Sequence, residues 1–436
     1  MERAIFYFLV FSIPVQARII LFEWTRPFNQ WVSAYLYGTD ILIGTIFILW
    51  LIRSGRTVSR TWNAGFFRYP IFNIKYFGFW LAIFFAIAGL SIAGAQFKAL
   101  AWYQLLKLTE FVGFYFYLKD SLGKIFSFHG ALLAIIASGF IQALLAIFQY
   151  LKQGSVGLRM LGESPLSANT TGVAIFVADG ERYIRAYGLT PHPNILAAWL
   201  FMAIFALYHI YVYRSGDTDV REWRAGSREK FIYGKTSRFL LPVYAVILLG
   251  FFFTFSRIVI GLWALGVLLW LLIIFLKKDF RENMVIRRGT LEFLAVSFIV
   301  AVFFSGIFWP QVKSRLAISA NDLAVTERIF YNKAATDIAE DKPWLGVGLG
   351  QFIPEMMQQL KKLPSHAYQP VHNVYLLLAS ETGFVGLGAF LSFIFFVFWD
   401  FFKKANFRRF YNFSFVIFSI SFLAMGLFDH FLWTSQ

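Results

Sequence analysis

The chain has 436 residues, 58% of them hydrophobic and 20% aromatic, with 55 Phe and a mean hydropathy of +0.62. Soluble domains run near 45–50% apolar and about 25% charged, so this composition excludes a soluble enzyme and indicates a polytopic membrane protein; the absence of Cys excludes disulfides and thiolate chemistry. The formal charge of +16 does not point to nucleic acid, because the basic residues fall mostly in short segments between apolar stretches, as membrane orientation requires.

At about 20 apolar residues per helix, spans are predicted near 4–22, 35–52, 76–94, 99–118, 129–150, 194–213, 239–256, 257–276, 291–309, 373–400 and 410–428. The first stretch lacks a small-residue cleavage site and is followed by further spans, so it reads as a retained helix. Residues 53–75 carry Arg53, Arg56, Arg60, Arg68 and Lys75 with no acid, and 277–288 carry Lys277, Lys278, Arg281, Arg287 and Arg288. Alternation puts both on one side with the basic loop 214–238 and with Lys403, Lys404, Arg408 and Arg409, and that side is cytoplasmic. Residues 151–193, the turn at Ser256 and Arg257, and the long segment 310–371 then face outward. No repeat or soluble domain boundary interrupts 1–436, which reads as one membrane domain. Within the outer segment, AVTERIFYNKAATDIAE at 324–340 predicts a helix, closed by DKPWLGVGLG with its proline and turn-forming glycines.

Three segments carry the chemistry. In RAYGLTPHPNILAAW, Arg185 precedes a Gly/Pro turn, His192 lies inside it, and Asn194 is placed to cap an inward-going helix. In TFSRIVIG, Ser256 and Arg257 open a second such helix, and in PVHNVYLLLASETGFVGLG, His372 and Asn373 open a third. Helix N-termini expose N–H groups and the positive end of the dipole, so three of them with a cation beside each suit a phosphate group. Taken singly, Arg257 reads equally as an arginine snorkelling to headgroups, Arg185 as a basic loop residue, His372 as a polar helix start, and both asparagines as caps. Their convergence on one side favours a site for an anionic ligand.

In order, R…G…HPN, SR, an ER helix with PWLGVGLGQF, and HN followed by Gly383, Gly386 and Gly388 resemble the O-antigen ligase and polymerase superfamily of bacterial envelope enzymes, from about residue 180 onward. The resemblance implies an all-α, GT-C-type bundle of about 11–12 spans with a large extracytoplasmic loop, multi-pass in the cytoplasmic (inner) membrane with its site facing outward. It implies a metal-independent, inverting glycosyltransferase without cofactor. The donor would be an oligosaccharide on undecaprenyl pyrophosphate and the acceptor a glycan, lipid or protein hydroxyl. It assigns the pyrophosphate to Arg185 and Arg257, with Arg328 assisting, and makes His372 the motif histidine. Guanidinium forks stabilise charge developing on a departing diphosphate, and neutral imidazole can take the acceptor proton. Relatives usually continue past GLFDHFLWTSQ through another helix; here Asp429 and His430 are expected at the outer face.

Two competing readings have their own residues. A metal-dependent mechanism would use Asp337, Glu340 and Asp341, which read better as a solvated helix end, or Asp217 and Asp219, a DxD pattern in a short basic loop. A lipid-linked glycan flippase would use charges within spans, with Arg18, Asp40, Lys107 and Glu110 as candidates. Lys107 and Glu110 are three apart on one helix and so can pair with each other. The key cations concentrate at one face instead of along the membrane depth, which favours the enzyme. Ligase, polymerase and protein glycosyltransferase are not separable at this stage, nor are sugar identity and oligomeric state.

Overall fold

A computed structural model describes residues 1–60, 76–216, 239–317, 323–361, 363–407 and 409–434. Arg68, Lys75, Arg408, and the loop 217–238 with Asp217 and Asp219 lie outside them. The protein is an all-α membrane bundle: seven of its described helices are long and apolar enough to cross a membrane, and two shorter apolar helices accompany them.

The first predicted span is not one helix. α1 (Glu2–Ser12) has 11 residues, too few to cross at 1.5 Å per residue. Pro14 cannot continue it, and the β-branched run Ile19–Ile20 enters strand β1 (Arg18–Glu23), which pairs antiparallel with β2 (Ser33–Tyr37). The chain still passes from end to end of the bundle. Glu2 pairs with Arg53 at 3.2 Å, while the Gln16 backbone abuts Gly162.

α2 (Gly38–Arg60), α3 (Tyr76–Ser91), α4 (Lys98–Ser121) and α5 (Phe128–Lys152) follow. α4 is long enough to span but carries Lys107 and Glu110 at mid-length, which sets it apart from the apolar helices. Those charges are compensated inside the bundle: Lys107 Nζ lies 2.5 Å from Asp40 and 3.4 Å from Glu110, and Arg18 stacks over the Tyr35 ring at 4.3 Å. After α5, residues 153–192 hold the hairpin β3 (Ile175–Ala178) and β4 (Glu181–Ile184).

α6 (Pro193–Gly216) is the axis of the fold, with 83% of its apolar window buried, against 22% for α8 (Arg257–Leu276). α7 (Leu240–Phe252) and α8 make the predicted reversal at Ser256 and Arg257. The short α9 (Lys278–Glu282) leads into α10 (Met284–Ile307) and α11 (Trp309–Leu316). α5, α6, α7, α8 and α10, with α15 (Phe410–Met425), share the main apolar core. α12 (Leu323–Asp341) and α13 (Phe352–Gln359) lie in the segment before α14 (Val374–Lys404), and α16 (Phe431–Thr434) follows α15.

Helix direction sorts the charges. α6, α8 and α14 all begin at one end of the bundle, termed here the mouth. Lys277, Lys278, Lys403 and Lys404 mark helix ends opposite it, and Phe128, His209 and Tyr411 meet at that far end.

The two glycine-rich motifs interlock. Gly383 breaks α14 with φ 70° and ψ 175°, leaving carbonyls of the preceding turn without helical donors. Val347 N–H donates to Ser380 O at 2.9 Å, Gly348 N–H to Glu381 O at 3.0 Å, and Phe384 N–H to Pro343 O at 2.8 Å. Backbone groups freed inside an apolar bundle are thereby satisfied by the PWLGVG loop. The fit tolerates no side chain: a Cβ at Gly383 would lie 2.2 Å from Trp344 O, and one at Gly346 2.5 Å from Ser380 O. Gly383→Ala combines a left-handed backbone with this overlap and is expected to cost more than about 2 kcal/mol. The measurement is thermal unfolding of the purified protein in detergent; an unchanged midpoint would remove the interlock from the account.

Candidate functional site

The turn between α7 and α8 organises the mouth. Phe255 sits in the left-handed region at φ 46°, costly for a non-glycine residue. Its buried ring is held in an aromatic cluster with Tyr150, Phe176 and Phe304. With the backbone so turned, Thr254 O accepts from Arg185 Nε at 2.7 Å and Phe255 O accepts from Arg315 Nη2 at 3.3 Å. Two consecutive carbonyls therefore fix two guanidinium groups.

Asn194 joins these groups to the last loop. Its Oδ1 accepts from Arg185 Nη2 at 2.6 Å and from Ser256 Oγ at 3.0 Å, while its Nδ2 donates to Asp429 Oδ2 at 2.7 Å. The expectation that Asn194 caps α6 is corrected by this geometry. Asn194 is the second residue of the helix after Pro193, and its own N–H donates to His192 Nδ1 at 3.2 Å, so the cap is His192. Ser256 occupies the N-cap position of α8 without a side-chain cap bond, its hydroxyl being spent on Asn194. Asn373 does cap α14, accepting from Tyr375 N–H and Leu376 N–H at 2.9 and 3.1 Å.

His372, Asp429 and His430 form a compact group whose nearest donor atoms all lie within 4.8 Å of one another. Asp429 Oδ1 accepts from the N–H groups of His430 and Phe431, which fixes the carboxylate at the start of α16. Burial lowers His430 to about 4 and also lowers His372, so both imidazoles are neutral near pH 7. Burial alone would raise Asp429, but the imidazoles and the Asn194 amide outweigh it and hold the carboxyl below its ordinary range. Burial, then the neighbouring Arg315, presses Arg185 downward to about 9, still a cation at neutral pH.

These groups open onto a cavity of about 1160 Å³, somewhat larger than ordinary ligand sites, which run from about 300 to about 1,000 Å³. Its mouth end carries Arg185, Arg315 and Arg328 with His192, His372 and His430, facing Asp429 and Glu327. Away from the mouth its wall becomes apolar, with Leu81 and Phe84 of α3, Leu108 and Phe111 of α4, and Phe393 of α14. One end suits an anion and the other a hydrocarbon chain.

Of the residues singled out in the sequence for transfer, Arg185, His192, Asn194, Arg328 and His372 line this cavity, as do Asp429 and His430, expected at the same face, and the transport candidates Arg18 and Lys107. Ser256, Arg257 and Asn373 do not: Arg257 is the first residue of α8, beyond Ser256, whereas Arg315 of α11 does line the wall. Arg315 escaped the sequence reading because WPQVKSRL resembles an ordinary interfacial basic helix, with no motif around the arginine. Asp337, Glu340 and Asp341 are exposed at the end of α12, away from the cavity wall.

The description O-Antigen ligase belongs to the family model that matches residues 242–391. No curated protein matches the chain. The matched stretch contains the Phe255 turn, Arg315, Arg328, the PWLGVG loop, His372 and Gly383, while Arg185, Asn194, Asp429 and His430 lie outside it.

Asn194→Ala leaves Arg185 and Asp429 each short of a partner. Each buried group so stranded costs about 1–3 kcal/mol, and the expected result is a lowered unfolding midpoint that Asn194→Gln restores only in part. Equal stability of Asn194→Ala and the parent would show that the network is not structural.

Proposed function

We propose that the chain, a member of the O-antigen ligase and polymerase family through residues 242–391, moves a glycan from a polyprenyl diphosphate of the undecaprenyl type to an acceptor hydroxyl. The observation that carries this reading is the amphiphilic cavity, with three guanidinium groups at its mouth and an apolar wall along α3, α4 and α14. The basic helix ends opposite the mouth favour an orientation in which the site faces the outer side of the cytoplasmic membrane.

Arg185, Arg315 and Arg328 hold the diphosphate, and Arg257 beside Ser256 adds to the positive field at the start of α8. The acceptor oxygen attacks the anomeric carbon from the face opposite the diphosphate, and the bond from that carbon to the diphosphate oxygen breaks with inversion. The electron pair departs on the diphosphate, where guanidinium groups already fixed by the turn carbonyls stabilise it without reorganisation. The acceptor proton passes to the neutral imidazole of His372. Three permanent cations supply the charge neutralisation that a metal ion gives other phosphate-releasing enzymes, so the transfer requires no metal.

The transport reading finds less support. Of its candidate charges Arg18, Asp40, Lys107 and Glu110, Lys107 pairs with Asp40 and Glu110 at 2.5 and 3.4 Å, while Arg18 lies over the Tyr35 ring at 4.3 Å and donates to Tyr37 Oη at 3.1 Å.

Purified protein incubated with a carrier-linked oligosaccharide provides the test. His372→Ala should stop transfer with the fold retained. Arg185→Lys should lose roughly a hundredfold or more, in line with removal of one preorganised donor to a developing oxyanion. Ladder-like products from the donor alone would identify a polymerase, and transfer only after addition of a second acceptor would identify a ligase. Unimpaired transfer by folded His372→Ala protein would overturn the assignment of the base.

A further inference from the structure

We propose that His372, His430 and Asp429 form a site for one divalent transition-metal ion of the zinc class, and that an ion held there arrests transfer. The blocking half of this inference rests on the function proposed above, because the ion would engage the imidazole that otherwise takes the acceptor proton. The binding half rests on the donor set alone.

Two imidazoles and one carboxylate are the ligands of an open zinc site, which keeps its fourth position for solvent or substrate. Ligands about 2.1 Å from a tetrahedral ion stand roughly 3.4 Å apart, and the donor atoms here lie within 4.8 Å of one another. Closing the set therefore needs side-chain movements of about 1 Å or less, well within rotamer relaxation. Among the described residues this is the group of three or more His, Asp or Glu with such spacing.

The second observation is an orphan. His372 Nδ1 is buried and has no hydrogen-bond partner, an arrangement that costs free energy unless a ligand completes it. No bond within the protein would have to break for this imidazole to turn its lone pair onto an ion.

The neighbours orient the other two ligands. His430 Nδ1 lies 2.6 Å from Thr434 Oγ1, and in the tautomer whose ring N–H donates to that hydroxyl Nε2 keeps its lone pair for an ion. Asn194 Nδ2 on Oδ2 and the two backbone N–H groups on Oδ1 hold the Asp429 carboxylate in place. Both are the outer-shell contacts that metal ligands require. His192 is excluded from the set: its Nδ1 accepts from Asn194 N–H, so the neutral ring carries its proton on Nε2. The Arg185, Arg315 and Arg328 guanidinium groups oppose a bare cation, which makes this a site for a strongly ligated transition metal and not for Mg²⁺ or Ca²⁺.

The experiment uses full-length protein in detergent, stripped with a chelator and titrated with Co²⁺, whose visible d–d absorption reports tetrahedral nitrogen and oxygen ligation. One equivalent is expected to bind, Zn²⁺ should displace it, and a hundredfold excess of Mg²⁺ should not. His430→Ala and Asp429→Asn should each weaken Co²⁺ binding at least tenfold, and Thr434→Val about tenfold through the outer shell. Thermal unfolding scored with and without Zn²⁺ separates lost binding from lost fold: the parent midpoint rises with the ion and those of the variants do not.

Transfer by the parent should fall with Zn²⁺ occupancy and return on chelation. Absence of a stoichiometric Co²⁺ spectrum, or one that survives His430→Ala, overturns the site even if His372→Ala protein is inactive. Stoichiometric binding with undiminished transfer instead overturns the role of His372 in the reaction and leaves the metal site standing. Loss of transfer on chelation alone would reverse the sign of the effect and overturn the arrest.

Discussion

The mouth of this protein depends on a backbone turn that is itself unfavourable. Phe255 is held with positive φ, and the two carbonyls on either side of that distortion are the ones that fix Arg185 and Arg315. Without the distortion the carbonyls would point elsewhere, and each guanidinium group would lose one of its acceptors. The aromatic packing of Phe255 against Tyr150, Phe176 and Phe304 supplies the stabilisation that keeps the turn in place. Strain at this point holds the two guanidinium groups in fixed positions, which is the preorganisation that the proposed transfer uses.

The same economy governs polar groups throughout the bundle. Asn194 satisfies Arg185, Ser256 and Asp429 with one amide, and Lys107 satisfies Asp40 and Glu110 with one ammonium. In a low-dielectric interior a partly satisfied network is worse than none, so each such residue is tied to several others. His372 Nδ1 is among the buried polar atoms left without a hydrogen bond, and it lies in the wall of the cavity.

Much of this was legible in the sequence. Apolar runs gave the membrane class and most helices, and the starts of α6, α8 and α14 marked the mouth because helix-opening polar residues and cations are rare in so apolar a chain. What escaped depends on contacts between distant segments. Residues 4–22 were apolar enough to span, yet Pro14 and the β-branched pair after Arg18 divert the chain into a strand. Asn194 looked like a cap because its position near a helix start is common for caps, and only the approach of Asp429 from 235 residues away shows its other use. Arg315 had no motif to announce it, and its role follows from the Phe255 carbonyl. The glycines of PWLGVG and Gly383 were legible as turns, but that each fits against the other segment is a tertiary fact.

The interlock has a bearing on chimeras. Residues 343–348 and 380–384 meet backbone to backbone, with no side chain at the junction to absorb a change in spacing. A graft that imports a foreign loop without the matching helix break would put a lock beside the wrong key. Exchange of substrate preference between relatives should therefore succeed only when both stretches travel together, as a single cassette.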